Sequence, residues 1–416
     1  MSLEWTGEGN CVRDIVWGTD MDRTSEGRQG TNIGFCKKYS EKNTCKMKNP
    51  SVSIAKSVAI ILMVMAHARC GIWWQHYINM FHMPLFLFMS GYCFKEAHLT
   101  DAKGFVEKRV RGLWWPFVKW QLAFLLLHNV FFALNIYNGE YGFRGEVSHE
   151  YGLMETVKNA FYIVTTMSHG EQLLGGFWFL KSLFVGSLLF YFATKTAYHM
   201  GGRENLFSDI SVGCVLLFAT LIFGFVDKNI PFIGIGAREF MAGFFVWCGF
   251  TYNKFGYVFE KYWRFIIIAV LIVAVGTEFW QCSMMHLKGN FRLIMPYVFT
   301  GILGSLMVYG LSERLASYNN WLKRFLEYVG DKTLYILTWH FLSFKLVSLL
   351  LIWRYELPVE SLAEFPVIEE YACQGWWVIY LIVGTGIPLG VVFILDKIAN
   401  NLTPPSVRKR SEALSI

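Results

Sequence analysis

Ser53-Ile-Ala-Lys56-Ser-Val-Ala-Ile-Ile-Leu-Met-Val-Met-Ala-His67-Ala-Arg69-Cys70 is an eighteen-residue run with three basic side chains. As an α-helix it would rise about 27 Å, close to the roughly 30 Å hydrocarbon core of a bilayer. Nine further runs of the same kind follow at 78–95, 113–134, 173–194, 210–226, 232–251, 264–281, 293–310, 333–353 and 376–396. Composition agrees: 54% of the 416 residues are hydrophobic and 18% aromatic, while 17% are charged. A typical soluble protein carries about 25% charged residues. Intrinsic disorder, a secreted disulfide scaffold and an ordinary soluble enzyme are thereby excluded. The predicted fold is an all-α polytopic membrane helix bundle of about ten transmembrane helices.

The basic residues set its orientation. The gaps 95–112, 195–209, 252–264 and 312–332, with the C-terminal tail, carry 18 Lys and Arg. The intervening gaps carry six: Arg144, Lys158, Lys228, Lys288, Arg292 and Arg354. Lys37, Lys38, Lys42, Lys46 and Lys48 add to the first group. Positive charge stays inside, so both termini are expected to be cytoplasmic. The net charge of +7 therefore implies no nucleic-acid partner; the expected surroundings are a lipid bilayer.

Residues 1–50 read as a polar cytoplasmic tail without an apolar core, expected to be disordered and not a signal peptide. Residues 51–400 form the membrane domain, and 401–416 a second cytoplasmic tail. The outer loops 135–172 and 354–375 are rich in Glu, and the first adds Tyr137, Tyr141, His149 and Tyr151. The nine cysteines include no CxxC, and no Cys/His spacing suits zinc. No metal is expected. Nor is there a visible internal repeat, which lowers the case for a transporter built of two symmetric halves.

Ionisable residues at membrane depth are costly and mark function. This chain has many: Lys56, His67, His82, Lys119, His128, Lys181, Arg238, Glu239, Glu278, His340 and Lys345. On the predicted topology Lys56 lies near the cytoplasmic end of the first span, beside Lys108, Arg109 and Arg111. His67 follows eleven residues later, roughly 16.5 Å higher at 1.5 Å per residue. His82, Lys181, Arg238 and Glu239 fall in outer halves, and His340 near mid-membrane. A basic inner mouth suits an anionic ligand such as a nucleotide or phosphate. A histidine-bearing outer chamber suits acid–base chemistry.

These residues carry a resemblance. The Lys56-to-His67 spacing, with ten residues between, resembles the opening helix of the acyltransferase 3 family of membrane proteins. Phe81-His-Met-Pro-Leu-Phe-Leu-Phe-Met-Ser90-Gly91-Tyr92 resembles its second-helix signature. Lys108-Arg109-Val-Arg111-Gly-Leu-Trp-Trp-Pro116-Phe is similar to its basic stretch before a Pro-aromatic pair. Gly176-Phe-Trp178-Phe-Leu180 is similar to its Trp-x-Leu segment. Asp331-Lys-Thr-Leu-Tyr-Ile-Leu-Thr-Trp-His340 is similar to its late helix. Within the family the chain looks most like the bacterial fucose 4-O-acetylase-like subgroup. One departure is Lys56, where the family usually has Arg; Lys supplies charge without a planar bidentate fork.

The resemblance implies an O-acyltransferase of the bacterial inner membrane. It would move an acyl group, usually acetyl, from cytoplasmic acyl-CoA to a hydroxyl of an extracytoplasmic carbohydrate, a surface glycan or its precursor. Acetyl-CoA is the expected donor, its phosphates held by Lys56, Arg109 and Arg111. His67 is the expected base, with an acetyl-His67 intermediate as the variant. His82, Ser90 and His340 are candidates for positioning or oxyanion donation. Trp178, Lys181, Arg238 and Glu239 are assigned to the acceptor. The competing reading is a transporter or flippase for a glycan or lipid-linked sugar.

Overall fold

The computed structural model describes residues 49–143, 146–168, 170–202, 205–231, 234–255, 264–287 and 289–402. The expected tails therefore lie outside the described residues, except for Asn49 and Pro50 at one end and Asn401 and Leu402 at the other. Pro50–Val392 forms one compact unit and holds every site residue discussed below; Asn49 and the chain from Phe393 on are grouped apart from it.

The helices are α1 Pro50–His67, α2 Ile72–Asn79, α3 His82–Tyr92 and α4 Ala102–Ala133, the last with a π-turn at Val110–Trp114. They continue as α5 Leu153–Thr166, α6 Trp178–Gly201, α7 Leu206–Val226, α8 Ala237–Phe255 and α9 Arg264–Trp280. The last four are α10 Ile294–Ser317, α11 Trp321–Asp331, α12 Thr333–Tyr355 and α13 Trp377–Leu402. A two-residue antiparallel pairing, Gly142–Phe143 with Glu146–Val147, is the only extended ladder among the described residues.

Each of the ten apolar runs contains a helix among the described residues, and eight helical segments are long and apolar enough to cross a membrane. The protein is a multi-pass membrane bundle. The two runs that fall short do so for physical reasons. The run at 78–95 breaks at Met80–Phe81, and α3 keeps eleven residues, a rise of about 16 Å. His82 at its start turns its Nδ1–H back onto the Ile78 carbonyl at 2.7 Å, which closes the break. The other, α8, has nineteen residues but carries Arg238, Glu239 and Lys254.

Both are held by protein. A Cβ on Gly91 would fall 1.8 Å from the Val246 carbonyl oxygen, and one on Gly249 would fall 1.9 Å from that of Phe88. Helices α3 and α8 therefore cross backbone to backbone, the small-residue packing that brings membrane helices close. Helix α1 sits in the middle, against α3, α10, α11 and α12. At its start Gly330 of α11 lies so close that a Cβ would meet the Ser53 carbonyl oxygen at 1.9 Å. Conversely, α7 turns Val215, Phe218, Ile222 and Phe225 outward, a face that only lipid solvates well.

The segment between α4 and α6 is tied down by a buried histidine. His128 donates from Nδ1 to Glu171 at 3.0 Å and from Nε2 to the His149 carbonyl at 2.9 Å, and it stacks on Tyr151 at 3.6 Å. The His149 carbonyl only accepts, so Nε2 carries a proton, and the buried Glu171 carboxyl holds the other ring nitrogen. This is a hydrogen-bonded bundle role.

Candidate active site

Lys56, Ile60, Met63 and His67 are spaced four, three and four residues apart, so they share one face of α1. The first three line a cavity of about 370 Å³. Ser90 of α3, Cys93 just after it, His98 of the following turn, Arg109 and Leu113 of α4, Leu180 of α6 and Leu334 and Leu337 of α12 are among its other walls. Polar groups cluster at the Pro50 end of α1, and apolar side chains take over toward the other end. Met63 stands one turn below His67, and Leu337 one turn below His340. The slot is thus a polar-mouthed apolar channel that ends under two histidines.

The mouth differs from expectation in three ways. Arg109 reaches the cavity, over the Phe105 ring at 5.1 Å, and donates to Ser90 Oγ at 3.1 Å. Ser90 therefore belongs with the mouth cations and not with the histidines. Arg111 does not line the cavity: its side chain is 84% exposed and sits 3.9 Å from Glu107. Two positions along a helix lie about 200° apart, so Arg109 and Arg111 cannot both face inward. The third is His98, which sequence reasoning missed and which lines the cavity beside Arg109. Burial, then the charges of Lys108, Arg109 and Lys95, hold His98 below the ordinary imidazole value, with Asp101 opposing them. Its only sequence signal is a histidine a few positions ahead of a basic helix.

At the closed end His67 Nδ1 lies 3.0 Å from His340 Nε2. With both rings neutral, the chemistry of the neighbours fixes where the protons sit. His340 Nδ1 is 3.0 Å from the carbonyl oxygens of both Ile336 and Leu337. Carbonyls only accept, so Nδ1 carries the proton and neutral His340 presents a bare Nε2. His67 must then donate from Nδ1, which leaves its own Nε2 unprotonated. His340 is fully buried and His67 half-buried. A reactant can reach the ring with the free lone pair, and the other ring orients it. His82 is buried close enough to His67 for their charges to interact. Its Nδ1–H is spent on Ile78, so neutral His82 offers an acceptor and no donor for an oxyanion.

A roof covers the pair. Phe341 stacks on His67 at 4.8 Å and on His340 at 3.9 Å, and Phe365 lies on Phe341 at 4.7 Å. Phe365 comes from the segment after α12. Lys345, 3% exposed, anchors that segment by donating to the Leu362 and Glu364 carbonyls at 2.8 and 2.7 Å.

The four residues assigned to the acceptor meet beside this site. Arg238 lies over the Trp178 ring at 5.2 Å and donates from Nε to Glu239 at 3.0 Å. Lys181 stands one turn along α6 from Trp178, within electrostatic reach of both charges. Trp178 carries Arg238 on its face, so it backs the cation and offers no open platform for a sugar ring.

The site is a polar-mouthed apolar cavity beside a hydrogen-bonded histidine pair, inside a bundle of membrane-length helices. The acyltransferase 3 family profile, described as an acyltransferase domain, matches residues 49–396, and the chain belongs to that family. The protein is a membrane acyltransferase. No curated protein and no solved structure matches it.

Proposed function

We propose that the protein is an O-acetyltransferase that moves an acetyl group from cytoplasmic acetyl-CoA to a hydroxyl of an extracytoplasmic carbohydrate. It acts in the bacterial inner membrane with both termini inside, and it belongs to the fucose 4-O-acetylase-like subgroup. The acceptor is a surface glycan or its precursor. The observation that carries this reading is the 3.0 Å contact of His67 Nδ1 with His340 Nε2, one turn beyond the apolar walls of a cavity that also holds Lys56 and Arg109.

The donor's phosphates lie at that mouth, against Lys56, Arg109 and His98. The slender pantetheine arm follows the apolar channel past Met63 and Leu337, and the thioester reaches the histidines. His67 Nε2 takes the proton of the acceptor hydroxyl as its oxygen attacks the thioester carbonyl. The tetrahedral intermediate then breaks its C–S bond, and the CoA thiolate takes the proton back from the His67 imidazolium. His340 Nε2 accepts from His67 Nδ1 throughout and holds the ring in place.

The experiment is a sidedness assay in sealed vesicles. Acetyl-CoA supplied to the cytoplasmic face should be consumed, and acetyl ester should collect on glycan at the other face. Donor consumption only from the outer face would overturn the orientation.

His98 gives the donor site a pH signature. Its depressed pKa leaves it neutral near pH 7. A donor phosphate beside it favours the protonated form, so binding takes up a proton and affinity gains as pH falls. The donor's own phosphate titrates near pH 6, so the comparison is between wild type and His98→Gln. Between pH 8 and pH 6 the ratio of wild-type to variant affinity for CoA should rise. An unchanged ratio would remove His98 from the phosphate site.

A further inference from the structure

The cluster of Lys181, Arg238 and Glu239 holds more positive charge than the described residues around it balance. Glu239 is 1% exposed, and its carboxylate is fully engaged. It accepts from Ser182 Oγ at 3.1 Å, from the Gly236 backbone N–H at 3.0 Å and from Arg238 Nε at 3.0 Å. One carboxylate thus faces two cations. Lys181 is 8% exposed, and its ammonium makes no hydrogen bond among the described residues. It ends against the Gly234 turn, where a Cβ would stand 3.1 Å from Nζ. Arg238 spends one donor on Glu239 and points Nη1 at the Met285 sulfur, 3.8 Å away and a weak acceptor. The Arg238 side chain is 25% exposed, so the cluster is open on that side.

A buried cation without a partner is costly, and proteins keep one where a ligand completes it. The cluster also lies at the right level. Gly176, two residues before Trp178, is so close to the base pair that a Cβ there would meet His340 Cε1 at 3.9 Å. The chain from Gly176 into α6 therefore runs from beside the His340 ring to Lys181 within five residues.

We propose that Lys181 and Arg238 bind an oxyanion carried by the acceptor, a sugar carboxylate or a sugar phosphate close to the hydroxyl that is acylated. This rests on the acyl-transfer reading and narrows it: the acceptor is an acidic carbohydrate. Trp178 holds the Arg238 guanidinium in place, and Glu239 fixes it from the side. An Arg fork and a Lys point charge suit a carboxylate or phosphate, and a neutral sugar would leave both unanswered.

The test uses the full chain in lipid nanodiscs, saturated with CoA so that the donor mouth is filled. Glucuronate, glucose 1-phosphate and neutral glucose are titrated by ligand-observed NMR. One or both anionic sugars should bind, and glucose should not. The tighter of the two identifies the anion as carboxylate or phosphate. Lys181→Met and Arg238→Gln should each weaken that binding roughly tenfold or more, the usual scale for one charge-assisted contact. CoA affinity, read on the same samples, should be unchanged and serves as the folding control; Lys181→Gln replaces Lys181→Met if that variant loses CoA. The proposal is overturned if glucose binds as well as the anions, if neither anion binds wild type, or if the variants bind the anion normally. Failure of the acyl-transfer reading would look different: no CoA binding, with Lys181-dependent anion binding intact.

Discussion

His67→Gln and His67→Ala are expected to lower acetyl transfer by about 10²–10⁴-fold, the contribution of a positioned acid–base group, while CoA still binds. A packing role predicts otherwise. Gln nearly fills the space, and its amide N–H can still donate to His340 Nε2. What Gln lacks is the free imidazole lone pair that the tautomer places on Nε2. The same logic separates His340 from His67. His340→Leu removes the acceptor for His67 Nδ1–H, so the base can rotate or adopt the wrong tautomer. Turnover should fall with little change in donor affinity. His340→Gln keeps an acceptor oxygen and should retain more activity than His340→Leu. The measurement is transfer to glycan by purified variants, with CoA binding as control. If His67→Gln keeps more than about a tenth of wild-type turnover, His67 is not the base.

Lys56→Ala should weaken acetyl-CoA binding roughly ten- to 150-fold, from loss of a charge-assisted contact of about 1.5–3 kcal/mol. Lys56 lines the cavity two turns below Met63 on the same face of α1 as His67, so its charge meets the far end of a ligand whose reactive end reaches the histidines. Lys56→Arg should bind at least as well as wild type, since a guanidinium can form two parallel bonds to a phosphate. Titration of CoA into the three proteins decides it. Equal damage in Lys56→Arg and Lys56→Ala would mean that the position tolerates only the lysine shape, and the phosphate role would be wrong. The Arg111→Ala variant is a control, because an exposed arginine outside the lining of this cavity should contribute little.

What could be read directly from the chain is what depends on local period. Long apolar runs gave helices, because a backbone in lipid must satisfy its own hydrogen bonds. The eleven-residue spacing from Lys56 to His67 put a cation and an imidazole on one helix face. The ionisable residues at membrane depth marked a site, because their desolvation needs a reason. The pairing of Arg109 with Arg111 at the mouth was misjudged: Arg109 lines the cavity, while the Arg111 side chain is 84% exposed.

Tertiary structure decided the rest, because it depends on which helices touch. His67 and His340 lie 273 positions apart, and only packing brings Nδ1 and Nε2 to 3.0 Å. The tautomer of that pair follows from two carbonyls of α12 that no pattern of side chains encodes. Ser90 pairs with Arg109 and not with the histidines, a contact between two helices, α3 and α4. Lys181 and Glu239 sit on different helices, and their charge imbalance appears only once α6 and α8 are in contact. Sequence period fixes the direction in which a side chain leaves its own helix; the partner it meets is set by close packing between helices, where one glycine more or less moves a backbone by ångströms.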